Sequence, residues 1–201
     1  MAQTSTTLSG QKSHENDLSA TDISFTATGS EYKIKTTSTD LGRFSVRDLI
    51  TVSNSSLNNS TFTVKTVNSS TELVVEEIVA NETADGSTPI TLDHTGFVTD
   101  KVKGDGYYSQ PDGVHTVAYQ VLNRGDSVDD FFGSCKMQGT LATTPTEDDW
   151  FDISGTTFTS DQTTTISSAN FTGNFVWVRA KVVTTNSSGN RAMVTSILLN
   201  S

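Results

Sequence analysis

A single cysteine, Cys135, three prolines and three histidines in 201 residues set the first limits on this chain. One cysteine leaves no intrachain disulfide, which excludes the stapled scaffold of small secreted domains. The histidines, His14, His94 and His115, have no metal-ligand spacing. No Gly-x-Ser-x-Gly elbow marks a nucleophilic serine. Basic residues are scarce too: 13 Lys and Arg face 23 Asp and Glu, a net charge of −10. Phosphate binding needs clustered Lys and Arg, so nucleic acid is excluded as an expected partner. No stretch approaches the roughly 18 apolar residues of a membrane span, and residues 1–17 lack a basic start followed by an apolar run. The expectation is a protein made in a cytoplasm, with no signal peptide and no membrane contact.

Ser and Thr together supply close to a third of the chain. Thr is β-branched and suits the solvent face of a sheet. Seven Asn-x-Ser/Thr sequons, at Asn54, Asn58, Asn59, Asn68, Asn81, Asn170 and Asn186, are read as turns. The length suits two domains of about 100 residues each.

No segment sustains a helical period, whereas period-2 alternation recurs throughout. Residues 1–17 carry only Leu8 as an apolar anchor and are expected to form a flexible arm. Over residues 18–84, Ile23, Phe25 and Ala27 share one face. After the Gly29-Ser30 turn come Tyr32 and Ile34, then Leu49 to Val52, Phe62 and Val64, and Leu73 to Val75. Five short strands at close intervals describe a small barrel or compact sandwich. The segment 48–53 followed by an Asn turn and Thr61 to Val64 also resembles a β-module of phage structural proteins, with Asn54 and Ser60 where that pattern carries glycines. Asn tolerates positive φ and Ser does not.

The polar cluster Ala84-Asp85-Gly86-Ser87-Thr88-Pro89 opens an expected linker over 85–98. Residues 99–201 then show strand signals separated by Gly and Asn clusters, the pattern of a jelly-roll-like antiparallel β-sandwich. The fold class is all-β, in two small antiparallel domains.

In the second half, Val176, Val178 and Ala180 alternate with Trp177, Arg179 and Lys181, so one face meets the core and the other meets water or a partner. Trp177 and Arg179 are therefore candidate interface residues, and Trp150 is read as a core aromatic beside Phe151. Gly104-Asp105-Gly106-Tyr107-Tyr108 is a turn bearing two more candidates, Tyr107 and Tyr108. They would stack on a sugar ring, cover the end of the sandwich, or fill an inter-domain joint. The acidic clusters Glu147-Asp148-Asp149 and Asp126, Asp129, Asp130 lack calcium-loop spacing and are read as loops. Cys135 is read as a small core residue. No catalytic, metal or cofactor-binding residues are assigned, and the chain is not expected to be an enzyme.

One resemblance goes further. Gly113 to Val117, Lys136 to Leu141, Glu147 to Asp152, Asn170 to Ala180 and Ile197 to Asn200 together resemble a β-sandwich repeated in structural proteins of tailed bacteriophages, notably cyanophages. The resemblance implies a virion component without catalytic residues, and marks 124–130 as an inserted, protruding loop. The expected role is an exposed capsid decoration or accessory subunit. A tail, neck or fibre component and a carbohydrate-binding adhesion module are the alternatives. The expected partners are other capsid or tail subunits and further copies of this chain, possible as a trimer, with a host-surface glycan as an additional ligand.

Overall fold

The computed structural model describes residues 5–14, 17–108, 113–125, 129–185 and 192–200. In chain order the strands are β1 (Ser5–Ser9), β2 (Leu18–Ala20), β3 (Ser24–Thr28), β4 (Glu31–Lys35), β5 (Asp48–Ser53), β6 (Thr61–Ser69), β7 (Glu72–Val75) and β8 (Ile90–Val98). They continue with β9 (Val102–Lys103), β10 (Val114–Val121), β11 (Gly133–Thr140), β12 (Phe151–Asp152), β13 (Phe158–Thr159), β14 (Ile166–Thr172), β15 (Trp177–Thr184) and β16 (Val194–Asn200). The protein is all-β and its strand pairs are antiparallel, as the alternation predicts. The chain divides into two compact units, one over Glu15–Phe97 and one made of Met1–His14 with Val98–Ser201.

In the first unit the strands follow the order β2-β8-β5-β6-β7-β4-β3. Each sends a residue into one shared cluster: Leu18, Leu92, Ile50, Phe62, Leu73, Ile34 and Phe25, in that order. Seven strands with a common interior must coil around it, the barrel-like solution to exposed edges. Phe25 and Glu82 exchange backbone bonds of 2.8 and 3.0 Å beside β3. The β5–β6 connection is gathered by the Glu82 carboxylate, which accepts from Ser55 Oγ at 2.6 Å, the Ser56 amide at 2.8 Å and Asn58 Nδ2 at 2.8 Å. Burial would raise this carboxyl, yet those donors hold it below the usual range. Asn54 takes φ of 62°, the left-handed conformation Asn tolerates.

Two sequence expectations are corrected here. Residues 85–98 are not a linker, because Ile90–Val98 is β8, paired with β2 and β5 and buried at Ile90 and Leu92. Its alternation is hidden by polar Thr91, Asp93 and Thr95, and by a register shift that sets Leu49 opposite Gly96 and Ile50 opposite His94. Nor is 1–17 a free arm throughout, since β1 pairs with β16 and Lys12 bridges Val194. A Ser/Thr strand with little to bury is held there by backbone hydrogen bonds, a contribution that composition does not reveal.

The second unit is a sandwich. One sheet runs β1-β16-β10-β14. The other sets β9 beside β15, β15 beside β11, and β12 and β13 along the far side of β11. Val117, Tyr119, Ile197 and Leu199 of the first sheet and Cys135, Met137, Val178 and Ala180 of the second are all buried. Tyr119 stacks on Phe158 at 6.5 Å and donates its hydroxyl to the Thr156 carbonyl at 2.9 Å. Burial pushes the Cys135 thiol up to about 12, which leaves it a packing residue.

Candidate interaction surfaces

The turn Gly104 to Tyr108 is seated by its glycines. Amides of Gly104 and Gly106 donate to the carbonyls of Val176 and Phe175 at 3.0 and 2.8 Å. A Cβ on Gly104 would lie 2.5 Å from Phe175 O, and one on Gly106 would lie 2.7 Å from Asn174 O. Only glycine permits this approach. Asp105 fixes the turn further, accepting from the Gly113 amide at 2.6 Å and facing His115 Nε2 at 3.4 Å.

This seating brings three of the four sequence-predicted interface residues together. Tyr107 lies 5.0 Å from Trp177 and 5.2 Å from Tyr108, ring centre to ring centre. Tyr107 and Tyr108 are 43% and 57% exposed, and Trp177 is half-buried with its indole N–H donated to the Thr143 carbonyl at 3.1 Å. Two lysines that sequence reasoning missed complete the group. Lys103 Nζ stands 4.1 Å from the Tyr107 ring and 5.4 Å from Tyr108, and Lys101 Nζ stands 4.9 Å from Trp177. The signal was faint but present, since Lys101 and Lys103 alternate around Val102 two residues before the turn.

Arg179 does not join as an exposed residue. It follows Trp177 on the same face of β15 but is only 4% exposed. Its guanidinium donates twice to Glu147, at 2.9 and 2.7 Å, and once to Gln138 Oε1 at 3.0 Å. The Trp150 ring covers it at 4.2 Å. Trp150 is thus half-buried over a cation rather than in the core, a correction to the sequence reading. Beyond it, Lys181 lies opposite Lys136. Burial, then the neighbouring Lys136 and Arg179 charges, lower the Lys181 pKa.

The outer face of the opposite sheet has another chemistry. Register places Ser5, Thr7, Val114, Thr116, Ala118, Gln120, Ile166, Ser168, Asn170, Thr172, Ser196, Leu198 and Asn200 on it. None is charged. Thr116 bonds Asn170 at 2.9 Å and Ser196 bonds Gln120 at 3.0 Å, while Val114, Ile166 and Leu198 are 64%, 60% and 38% exposed.

The remaining sequence candidates have structural roles. Asp48 and His94 face each other at 3.3 Å, with side chains 1% and 2% exposed, out of reach of a substrate. In the acidic clusters, Glu147 holds Arg179, Asp149 accepts from the Thr146 amide at 2.7 Å, and Asp130 accepts from the Arg124 and Gly125 amides at 2.6 and 2.8 Å. Asp126, within the expected protruding loop, lies outside the described residues. No group of His, Cys, Asp and Glu that could hold a metal ion occurs among the described residues.

No protein-family model, no curated protein and no solved structure matches this chain.

Proposed function

We propose that the protein is a non-enzymatic structural component of a bacteriophage virion, an exposed capsid decoration or accessory subunit working as a homo-oligomer, with a trimer as the proposed state. The observation that carries this reading is the uncharged face of the sheet β1-β16-β10-β14. Charged residues make up 18% of the chain, yet none of the 13 residues on that face is charged. Depletion of charge is the compositional mark of the part of a surface that loses its water to a partner, and the exposed aliphatics Val114, Ile166 and Leu198 give this face apolar area to bury there. The phage-like motifs of residues 112–200 support a virion as the setting, and symmetric copies would cover the strand edges of each subunit.

The test places a charge in the middle of that face. Ala118→Glu and Leu198→Glu should leave the melting temperature close to that of the parent and remove the protein from purified particles, as counted by mass spectrometry. Incorporation at the parental level would overturn the reading. Native mass spectrometry of the purified chain should show trimers that the same substitutions dissociate; monomers alone would overturn the proposed stoichiometry.

A further inference from the structure

We propose that the aromatic and lysine face of the second unit binds an acidic polysaccharide, its sugar rings lying on Trp177 and Tyr107 and its carboxylates or sulfates reaching Lys101 and Lys103. The platform faces away from the uncharged sheet, so this role is separate from docking into a particle.

Three observations converge. First, the rings are presented rather than buried: Tyr107 and Tyr108 are 43% and 57% exposed, on a turn fixed by backbone bonds to Phe175 and Val176. Trp177 beside them is half-buried. Flat aromatic rings suit the C–H faces of pyranose rings, and with few rotatable bonds they lose little side-chain entropy on binding. Second, the cations are available. Lys33, Lys35, Lys65 and Lys136 each pair with a carboxylate, whereas Lys101 and Lys103 have no carboxylate partner among the described residues. In a chain with 23 acidic residues, two adjacent lysines held over aromatic rings are positioned for an external anion. Third, the charge is local. Lys101, Lys103 and Lys181 lie on one sheet face with no ion pair of their own among the described residues, while Arg179 and Lys136 on the same face neutralise Glu147 and Asp152 rather than leaving those carboxylates to repel an anion.

A protein or nucleic-acid strand fits less well. Single-stranded nucleic acid would also stack on the rings, but a phosphate on every nucleotide requires a continuous basic track, which Lys101 and Lys103 alone do not supply. An acidic peptide would use the lysines and leave the aromatic faces without a matching surface.

The experiment is calorimetric titration of the full chain with four probes: a galacturonate oligosaccharide, a maltose oligosaccharide of equal length, poly-glutamate and oligo-dT. The galacturonate oligosaccharide should bind about tenfold more tightly than the neutral one. Lys101→Gln with Lys103→Gln should bring the two sugars to equal affinity, and Tyr107→Ala or Trp177→Ala should abolish binding of both. Trp177→Phe should retain binding, and melting curves report that each variant is folded. Equal binding of poly-glutamate surviving Tyr107→Ala, tighter binding of oligo-dT, or no binding of either sugar would each overturn the proposal. None of these outcomes depends on the particle-incorporation assay, so the two readings stand or fall separately.

Discussion

The two outer faces of the second unit use opposite strategies on the same scaffold. One sheet shows Ser, Thr, Ala, Asn and a few exposed aliphatics, with cross-strand hydrogen bonds such as Thr116 to Asn170. The other carries five cations, two tryptophans and two tyrosines, with Lys101, Lys103 and Arg179 over aromatic rings and Lys136 and Arg179 paired with Asp152 and Glu147. Both faces come from strands with the same period-2 inward core, so the core does not decide which chemistry appears outside. The difference teaches that burial of an outward residue depends on its neighbours rather than on its face of the strand. Arg179 is buried because Trp150 and Glu147 close over it, while Ala118 and Ser168, among short side chains that do not reach over them, stay half-covered and exposed.

The sharpest way to break this comparison is to remove Arg179. Arg179→Ala strands Glu147 and Gln138 beside an emptied site, and should cost about 3 to 5 kcal/mol in urea unfolding, the usual penalty for breaking a desolvated pair. A cost near that of an exposed substitution would mean the pair is solvated and the contrast false. Deleting residues 1–9 removes β1 from the uncharged sheet and should cost on the order of 1 to 2 kcal/mol, through lost backbone bonds rather than lost apolar contact. An unchanged melting curve would show that the strand contributes nothing to the sheet. Trp150→Ala should cost about 1 to 2 kcal/mol, mostly its contact with the guanidinium, and that loss should shrink when Arg179 is already replaced.

A carboxylate in the first unit sharpens the contrast through pH. Glu147 faces a guanidinium, whereas Asp93, half-buried on β8, has Asp17 as its neighbour. Burial first, then Asp17, push the Asp93 carboxyl up to about 6 from 3.8. Folding therefore favours its protonated form. That stability is fully present below the unfolded value and declines as pH rises from 3.8 through about 6. Asp93→Asn should remove the decline, making the variant more stable than the parent at neutral pH and equal to it in acid. Thermal melts across that range check it, and parallel curves for parent and variant would refute it. The smallest expected effect is Thr116→Val on the uncharged face, within about 0.5 kcal/mol by the same melts.

Much of the fold was legible because alternation is a local property. Ile23 with Phe25, Val178 with Ala180, and the turn at Asn54 all behave as their neighbours in the chain dictate, whereas Val176 precedes β15 and is only half-buried. The β8 strand escaped because its inward residues are separated by Thr and Asp and its register shifts at Gly96. The β1 strand escaped because edge pairing needs only backbone groups, which every sequence has. At the candidate site, Tyr107, Tyr108 and Trp177 were visible as aromatics next to charge or glycine. Their meeting was not visible, since it spans 70 residues of chain between Tyr107 and Trp177.

The sequence by itself determined the all-β class, the antiparallel alternation, the absence of disulfide support and the acidic balance of the chain, because each follows from residue type and nearest neighbours. The tertiary structure alone decided that Arg179 is enclosed while Lys101 stands over the half-buried Trp177 and Lys103 over the exposed Tyr107. It also decided that 13 outward residues from four strands form one uncharged surface. The physical reason is that burial, charge pairing and patch formation depend on which distant strands become neighbours, and strand order is set by long-range pairing that no local pattern encodes.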